Sequence, residues 1–393
     1  MDNNRRQFLQ HTIGMAAAAP MFVPRTAWGA NDRPAYGVIG AGGRGQYVSK
    51  AFQAQGAECV AICDVYEPRV QETLKAAPQA KTYVDYKDLL AQNGIDFVLV
   101  ATPDHQHCPN LLDSLAAGKD VYLEKPMSHS LEESKRMVDA VRGTRRIVQI
   151  GMQRRSSPMI HHAHALVEEG ALGRISMVKP MWNWNVSGPL DNSPLPGKLD
   201  WKRFLGPAKD RPLEPMMFRS WRQFWDFSGG NMTDQGTHLM DVTQWFTGNS
   251  EKGPAAAVCH GQIIKYVGSE VPDAFCAIFE YPNMMATWTL NYCNAYDPHW
   301  TITFQGDQGT LVIEDEGFRV YAEPYTKPQN HEPVFSMRGG IPVDTHVANF
   351  LDSIRTRKEP NCPVEMGASA VSAPHLANLA FKQGRKVKMS EFS

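Results

Sequence analysis

The stretch that most narrows the possible folds lies near the start of the chain: AYGVIGAGGRGQYVSKAFQAQGAECVAICD, residues 35–64. Ala35 to Ile39 is a short apolar run that predicts a strand. Gly40, Gly42 and Gly45 then give G-x-G-x-x-G, with Gly43 and Arg44 inside the motif. A helix is predicted from about Gly43 to Gln55, and a second apolar strand from Cys59 to Cys63 ends at Asp64. The three glycines do different physical work. One permits the tight turn, one lets the backbone approach a pyrophosphate, and one lets helix and strand pack closely. The helix N-terminus offers free N–H groups and a positive dipole end to phosphate. Asp64 stands nineteen residues after Gly45, the spacing of the acid that accepts from a ribose 2′-hydroxyl. A carboxylate there repels a 2′-phosphate, so NAD is expected and NADP less so. Arg44 is the one neighbour that would favour the extra phosphate.

The alternation continues. FVLVATP is a nearly continuous apolar run, as a parallel strand covered on both faces requires. NLLDSLAAG predicts a helix ending at Gly118, DVYLEKP a strand running into a loop, and SLEESKRMVDAVR a helix with Ser130 and Glu133 at capping-box spacing. RIVQIG closes the series. This predicts an α/β chain whose first domain, residues 31–151, is a doubly wound parallel sheet of the Rossmann type.

After Gly151 the pattern changes. QRRSSPMIHHAHALVEEGALG predicts a helix, and its three histidines fall on different sides of a solvated face. Strands are predicted at ISMVKPMWNWN, AAAVCHGQIIKYV, AFCAIFEY, MATWTLNYC, WTITFQG and GTLVIED, separated by turn signals. Residues 152–393 are therefore expected to form an α+β domain with a mainly antiparallel open sheet, whose free face would support a homodimer or homotetramer. A Pro- and Trp-rich insertion occupies about 182–225.

Composition excludes several classes. Lys plus Arg number 40 against 41 Asp plus Glu, with no basic stripe, so nucleic acid is not an expected partner. The seven cysteines are scattered and contain no C-x-x-C, so neither a metal site nor a disulfide framework is expected. Beyond residue 30 no apolar run approaches about eighteen residues, so no membrane span is expected there.

Two further motifs carry chemistry. The loop YLEKPMS, with Glu124, Lys125 and Pro126, follows the carboxyl end of a strand, where such sheets bind ligands. In NMTDQGTHLMDVTQWF, Asp234 and His238 are four apart on a predicted helix with Met232, Leu239, Val242 and Phe246 as its apolar stripe. Histidine can take a hydroxyl proton, and a carboxylate can orient it or hold a neighbouring hydroxyl. The glycine motif, Asp64, TPDHQH, AAGKDVYLEKP and D-x-G-x-H together resemble the Gfo/Idh/MocA oxidoreductases over essentially the whole chain past the leader. That resemblance implies Lys125 beside the nicotinamide and the reacting hydroxyl, His238 as acid/base and Asp234 as its assistant. It adds Thr102, Pro103, His107, Glu124 and Lys125 to the cofactor side, with Asp104 and His105 near the nicotinamide end. Gly236 and Asp241 fit the helix pattern as structure. The substrate side would comprise Lys125, Arg154, Asn183, Trp184, Arg219, Trp221, Asp234 and His238, with Arg222 a further hydroxyl or carboxylate holder. Indole faces can cover the C–H faces of a sugar, although most tryptophans of the insertion are expected to fill its own core.

The leader NNRRQFLQHTIGMAAAAPMFV resembles a twin-arginine signal over residues 1–30, with Ala27 and Gly29 as the small residues before cleavage. A periplasmic protein is thus expected, exported folded. The periplasm is not expected to hold a useful NAD pool, so the cofactor would have to be retained and restored within each cycle. The expected activity is NAD-dependent hydride transfer at a secondary alcohol carbon of a carbohydrate: a sugar, cyclitol or glycoside. The alternative is a redox-neutral glycoside hydrolase working by oxidation, elimination and reduction, with Tyr122, His129 or the aromatic loop as the extra base. A non-catalytic sugar-binding protein is the third reading.

Overall fold

Apolar runs of four or five residues punctuated by glycine build the first half of the molecule. The computed structural model describes residues 33–296, 299–324 and 332–392, so the leader lies outside the described residues. Strands β1 (Ala35–Ile39), β2 (Glu58–Cys63), β3 (Lys81–Tyr83), β4 (Phe97–Val100), β5 (Asp120–Leu123) and β6 (Val148–Ile150) form one parallel sheet in the order 3-2-1-4-5-6. Every residue of β4 and β5 is buried, because helices cover both faces. Those helices are α1 (Gly43–Ala54), α2 (Glu67–Leu74), α3 (Tyr86–Leu90), α4 (His107–Ala116) and α5 (Leu131–Arg142). The cap of α5 is half a capping box: Ser130 Oγ accepts from the Glu133 N–H at 3.1 Å. The Glu133 carboxylate, however, accepts from His129 N at 2.8 Å, one residue early.

The second half adds α6 (Pro158–Glu168), β7 (Ile175–Asn183), α7 (Trp201–Leu205), α8 (Pro215–Arg219), α9 (Gly230–Asp234) and α10 (Gly236–Phe246). Then follow β8 (Ala256–Gln262), β9 (Ala274–Glu280), β10 (Met285–Asn291), β11 (His299–Gly306), β12 (Gly309–Glu314), β13 (Gly317–Ala322) and β14 (Phe335–Arg338). The chain closes with α11 (Val343–Thr356), α12 (Val364–Gln383) and β15 (Val387–Lys388). The nine strands form one sheet in the order 14-13-12-11-7-10-9-8-15, antiparallel except between β7 and β10. One face holds a core with Trp288, Phe279 and Phe304 at its centre; the other is open, with Val258 and Ile278 exposed. No helix among the described residues is long and apolar enough to cross a membrane.

Several elements depart from the sequence expectation. The strand predicted through Val267 stops at Gln262, and β13, β14 and β15 are additions. The helix expected to carry both Asp234 and His238 is broken at Gln235 into α9 and α10. The histidines of α6 are not a plain solvated face. His162 stacks on Phe335 and His164 on Trp245, while His161 Nε2 lies 2.8 Å from the Arg155 carbonyl. Nor does the second half keep to itself: α11 lies on the parallel sheet, where Phe350 meets Phe52, Phe97 and Tyr122.

The insertion has its own small core, as its tryptophan content suggests. Phe204, Leu205, Met217, Phe218, Phe224 and Phe227 are buried together against Tyr66 of the first half, with Trp201 and Trp221 at the edge.

Candidate active site

The strand order reverses between β1 and β4, and a cleft of about 600 Å³ opens at their carboxyl ends. Gly40 takes φ +93°, and a Cβ there would stand 2.7 Å from the Ala101 backbone; one on Gly45 would stand 2.0 Å from the Gly40 carbonyl oxygen. The chain can make this turn only with glycine at both places. Helix α1 starts directly after it with no side-chain cap and no acidic residue in its first turn. Its free N–H groups and positive end are left for an anion, which fits a dinucleotide pyrophosphate.

Asp64 lines the cleft, fixed by N–H groups of Ala41 (2.8 Å to Oδ2) and Tyr66 (2.9 Å to Oδ1). Burial pushes its carboxyl above the usual range, and Arg69 opposes that shift. Gly42, Thr102 and Pro103 also line the cleft. Arg44 does not line the cleft; its guanidinium pairs with Glu124 at 2.8 Å. His107 acts from behind: its Nδ1 lies 2.7 Å from the Pro126 carbonyl and its Nε2 2.9 Å from that of Thr102. It thereby ties the end of β4 to the Glu124-Lys125-Pro126 loop, whose Lys125–Pro126 peptide is cis. Asp104 and His105 serve the join between the halves. Asp104 accepts from Ser228 Oγ at 2.8 Å, and His105 Nε2 lies 2.9 Å from the Phe204 carbonyl.

Lys125 meets the second half at Asp234. Its Nζ donates to Asp234 Oδ1 at 2.7 Å and to the Asp234 carbonyl at 2.8 Å. The second carboxylate oxygen faces Arg222 Nε at 3.2 Å. Burial alone would raise the Asp234 pKa; Arg222 and then Lys125 outweigh it and hold the carboxyl well below the usual carboxylate range. With the helix interrupted at Gln235, Asp234 therefore anchors Lys125, and no hydrogen bond joins it to His238.

His238 is buried, and its Nδ1 has no hydrogen-bond partner among the described residues. Burial, then the charges of Lys125, Arg154 and Arg44, hold its pKa well below the ordinary histidine value, so the ring is neutral at physiological pH. Arg154 is also buried, its guanidinium 4.1 Å from the centre of the Trp300 ring, and burial lowers its pKa to about 10. Its Nε has no partner among those residues either. Asp241 pairs with Arg155 at 2.7 Å in the interior, a structural contact.

The remaining candidates divide. Trp184 packs edge-on against Trp182 and beside Tyr292, and Trp221 lies under the Arg222 guanidinium at 4.2 Å. Asn183 donates to the Tyr296 carbonyl at 3.1 Å. Arg219 is a correction: Asp191 at 3.2 Å and the carbonyls of Ser193 and Pro194 engage its guanidinium, so it staples the insertion. Tyr122 is another, because it is wholly buried against Phe52 and Phe350 and burial raises its pKa far above the ordinary phenol value. It is no accessible base. Trp300 and Tyr292, which sequence reasoning missed, come from β11 and from the residue directly after β10. No local motif marks them; only the sheet register brings them here.

Comparison with known proteins agrees with this geometry. The oxidoreductase family model described as "NAD-binding Rossmann fold" matches residues 35–152, and its "C-terminal alpha/beta domain" matches residues 164–389. The inositol 2-dehydrogenase of Rubrobacter xylanophilus is 32% identical over 148 residues, covering 37% of this chain and 42% of that protein. The scyllo-inositol 2-dehydrogenase (NAD(+)) of Bacillus subtilis is 31% identical over 213 residues, 54% of this chain and 53% of that one. The chain thus spans about half the length of the curated relatives it matches. A levoglucosan dehydrogenase solved with NADH and levoglucosan shares the fold with TM-score 0.73 at 18% identity, over 91% of this chain and 99% of that one. With both halves matched and the cleft, lysine and histidine in place, the chain belongs to the Gfo/Idh/MocA oxidoreductase family.

Proposed function

We propose that the protein is an NAD-dependent oxidoreductase acting on a secondary alcohol carbon of a sugar, cyclitol or glycoside. The observation that carries this reading is the pairing of a neutral, buried His238, its Nδ1 unpartnered, with a Lys125 ammonium fixed by both oxygens that Asp234 offers it. His238 takes the proton of the reacting hydroxyl. Lys125 holds the same oxygen and stabilises the alkoxide charge that develops as the proton leaves. Asp234 keeps the ammonium in place. Arg154, Arg222, Tyr292 and Trp300 supply hydroxyl donors and an aromatic wall for a polyol ring. Bound NAD supplies the hydride acceptor. The inositol and levoglucosan dehydrogenases among its relatives support a polyol substrate.

The resemblance of the leader to a twin-arginine signal supports a periplasmic location and a cofactor loaded before export and then retained. The open sheet face, with Val258 and Ile278 exposed, supports a homo-oligomer. The deciding experiment takes protein purified after export without added nucleotide, releases any bound NAD(H) by denaturation and counts it. The same preparation is then assayed against cyclitols, pyranoses and glycosides, with absorbance at 340 nm and product analysis in parallel. Turnover of a polyol, with loss of that turnover in His238→Ala, is the expected result. Absence of NAD binding and of turnover on every substrate would sink the reading and favour a sugar-binding protein. Glycoside cleavage without net NADH would identify the redox-neutral variant.

A further inference from the structure

The cleft beside the glycine turn is not built by the first half of the molecule alone. Phe204, Gly206 and Pro207, from the insertion of the second half, form its outer side opposite Gly42, Asp64 and Pro103. The segment that brings them, residues 196–207, crosses the mouth as a strap and is tied down on both sides of the turn.

On the β2 side, Asp200 N donates to the Val65 carbonyl at 2.8 Å, and Glu67 N donates to the Lys198 carbonyl at 3.0 Å. Tyr66 and Leu199 form an isolated antiparallel bridge, and the Tyr66 hydroxyl donates to the Pro196 carbonyl. On the β4 side, Gln106 Nε2 donates to the carbonyls of Arg203 and Phe204, each at 3.0 Å, and His105 Nε2 lies 2.9 Å from the latter. Back on the β2 side, Arg203 adds an ion pair at 3.4 Å to Asp85, which follows β3. Gly206 has φ +50°, and a Cβ there would stand 2.2 Å from Gln106 Nε2, so the strap's end fits this contact only as glycine. The hydrogen-bonded anchors are the loops after β2 and β4, the strands that flank β1. The strap therefore spans the turn from one neighbour to the other.

We propose that residues 196–207 are the outer wall of the adenosine pocket and control cofactor release. The adenosine half of a dinucleotide in this cleft would lie between the glycine turn and the strap, with Gly206 and Pro207 offering surface to a flat base and Phe204 packed behind them. It can leave only when the hydrogen bonds of Gln106 and the ion pair of Arg203 open. The proposal rests on the NAD reading above and gives its retained-cofactor part a structural cause.

The test measures exchange, not turnover. Protein loaded with isotopically labelled NAD is chased with excess unlabelled NAD, and bound label is followed with time. The variants are Gln106→Ala, which removes two hydrogen bonds, and Gly206→Val, which puts a side chain where the Gln106 amide now sits and so displaces that amide from the strap carbonyls. Lys75→Ala, on the exposed end of α2, is the control. Release is expected to quicken at least about tenfold in both strap variants and to stay unchanged in the control. Equal release rates in wild type and strap variants would overturn the strap proposal and leave the retention reading standing. A wild type that exchanges within the mixing time would overturn both. Should either variant fold poorly, amide hydrogen exchange on the unaltered protein decides. Residues 197–207 are expected to become protected when NAD is added, and unchanged exchange there would refute the proposal.

Discussion

Lys125 shows how one side chain is fixed from across the molecule. Its loop belongs to the first half, and both oxygens that hold it belong to Asp234 of the second. Replacing Lys125 with Met keeps the chain length and removes the charge. Turnover is expected to fall about 10²–10³-fold, the usual cost of losing one donor to a developing oxyanion. NAD binding, followed by fluorescence titration, should stay within a few-fold, because Lys125 is not part of the glycine turn or its cleft. A variant that loses NAD binding and turnover equally would show that the lysine serves the cofactor instead. His238 yields a pH prediction. Its pKa lies well below the ordinary histidine value, so it remains the competent base as the pH falls. In the oxidation direction, kcat/KM should therefore hold level below pH 6.5 and decline only in more acidic solution. A profile that bends at 6.5, and loses that bend in His238→Gln, would contradict the buried neutral ring. Both residues were legible in the sequence because each sits in a short, distinctive string. No motif of its own marks Arg154 as a substrate-side candidate. Tyr292 and Trp300 were not legible at all, since strand register rather than spacing carries them to the site.

Among the elements, the clearest in the sequence were those whose local chemistry leaves no choice. The β1-turn-α1 unit is one. Gly45 closes on the Gly40 carbonyl so tightly that a methyl group would stand 2.0 Å from it. Gly45→Ala should force the turn and the start of α1 apart, weakening NAD binding by more than about 100-fold while the second sheet remains intact. Isothermal titration with NAD, with near-ultraviolet circular dichroism to report the Trp288 core, checks both halves of that expectation. Near-native NAD affinity would mean that the turn relaxes more easily than its geometry implies. Other elements were hidden for physical reasons. The edge strands β14 and β15 are four and two residues long, too short for alternation to register. The break at Gln235 follows no proline; Gln235 and Gly236 stand where the apolar stripe skips a turn between Met232 and Leu239, but the stripe resumes in phase, so periodicity alone reads one helix. The strap over 196–207 contains only a single helical turn and a half, α7, and its place is set by hydrogen bonds to two distant loops. Nothing in its own residues announces those partners.

At the scale of the whole molecule, the two halves are folded into one another. Helix α11 comes from far along the chain, yet its Val343, Val347, Phe350 and Leu351 complete the core of the first sheet beside Phe52 and Phe97. The Phe350 ring lies 5.3 Å from that of Phe97, 5.6 Å from Tyr122 and 5.9 Å from Phe52, all edge-on. In return, α12 covers both the parallel sheet and the nine-stranded one, contributing Ala370 to one core and Leu376 and Ala377 to the other. Residues 33–151 alone would leave the α11 face of the sheet bare to water. The two halves should therefore unfold together, in one cooperative transition. Phe350→Ala tests the interlock at its centre. The side chain is fully buried, so truncation removes its transfer free energy and leaves a cavity that close-packed aromatic neighbours refill poorly. The expected loss is about 3–5 kcal/mol, read from urea unfolding followed both by the fluorescence of bound NADH, which reports the first half, and by tryptophan emission, which samples the second. Both signals should shift by the same amount. If only the NADH signal moves, the halves are separable and α11 is merely a guest on the first sheet; if neither moves, the aromatic cluster around Phe350 contributes little to holding the molecule together.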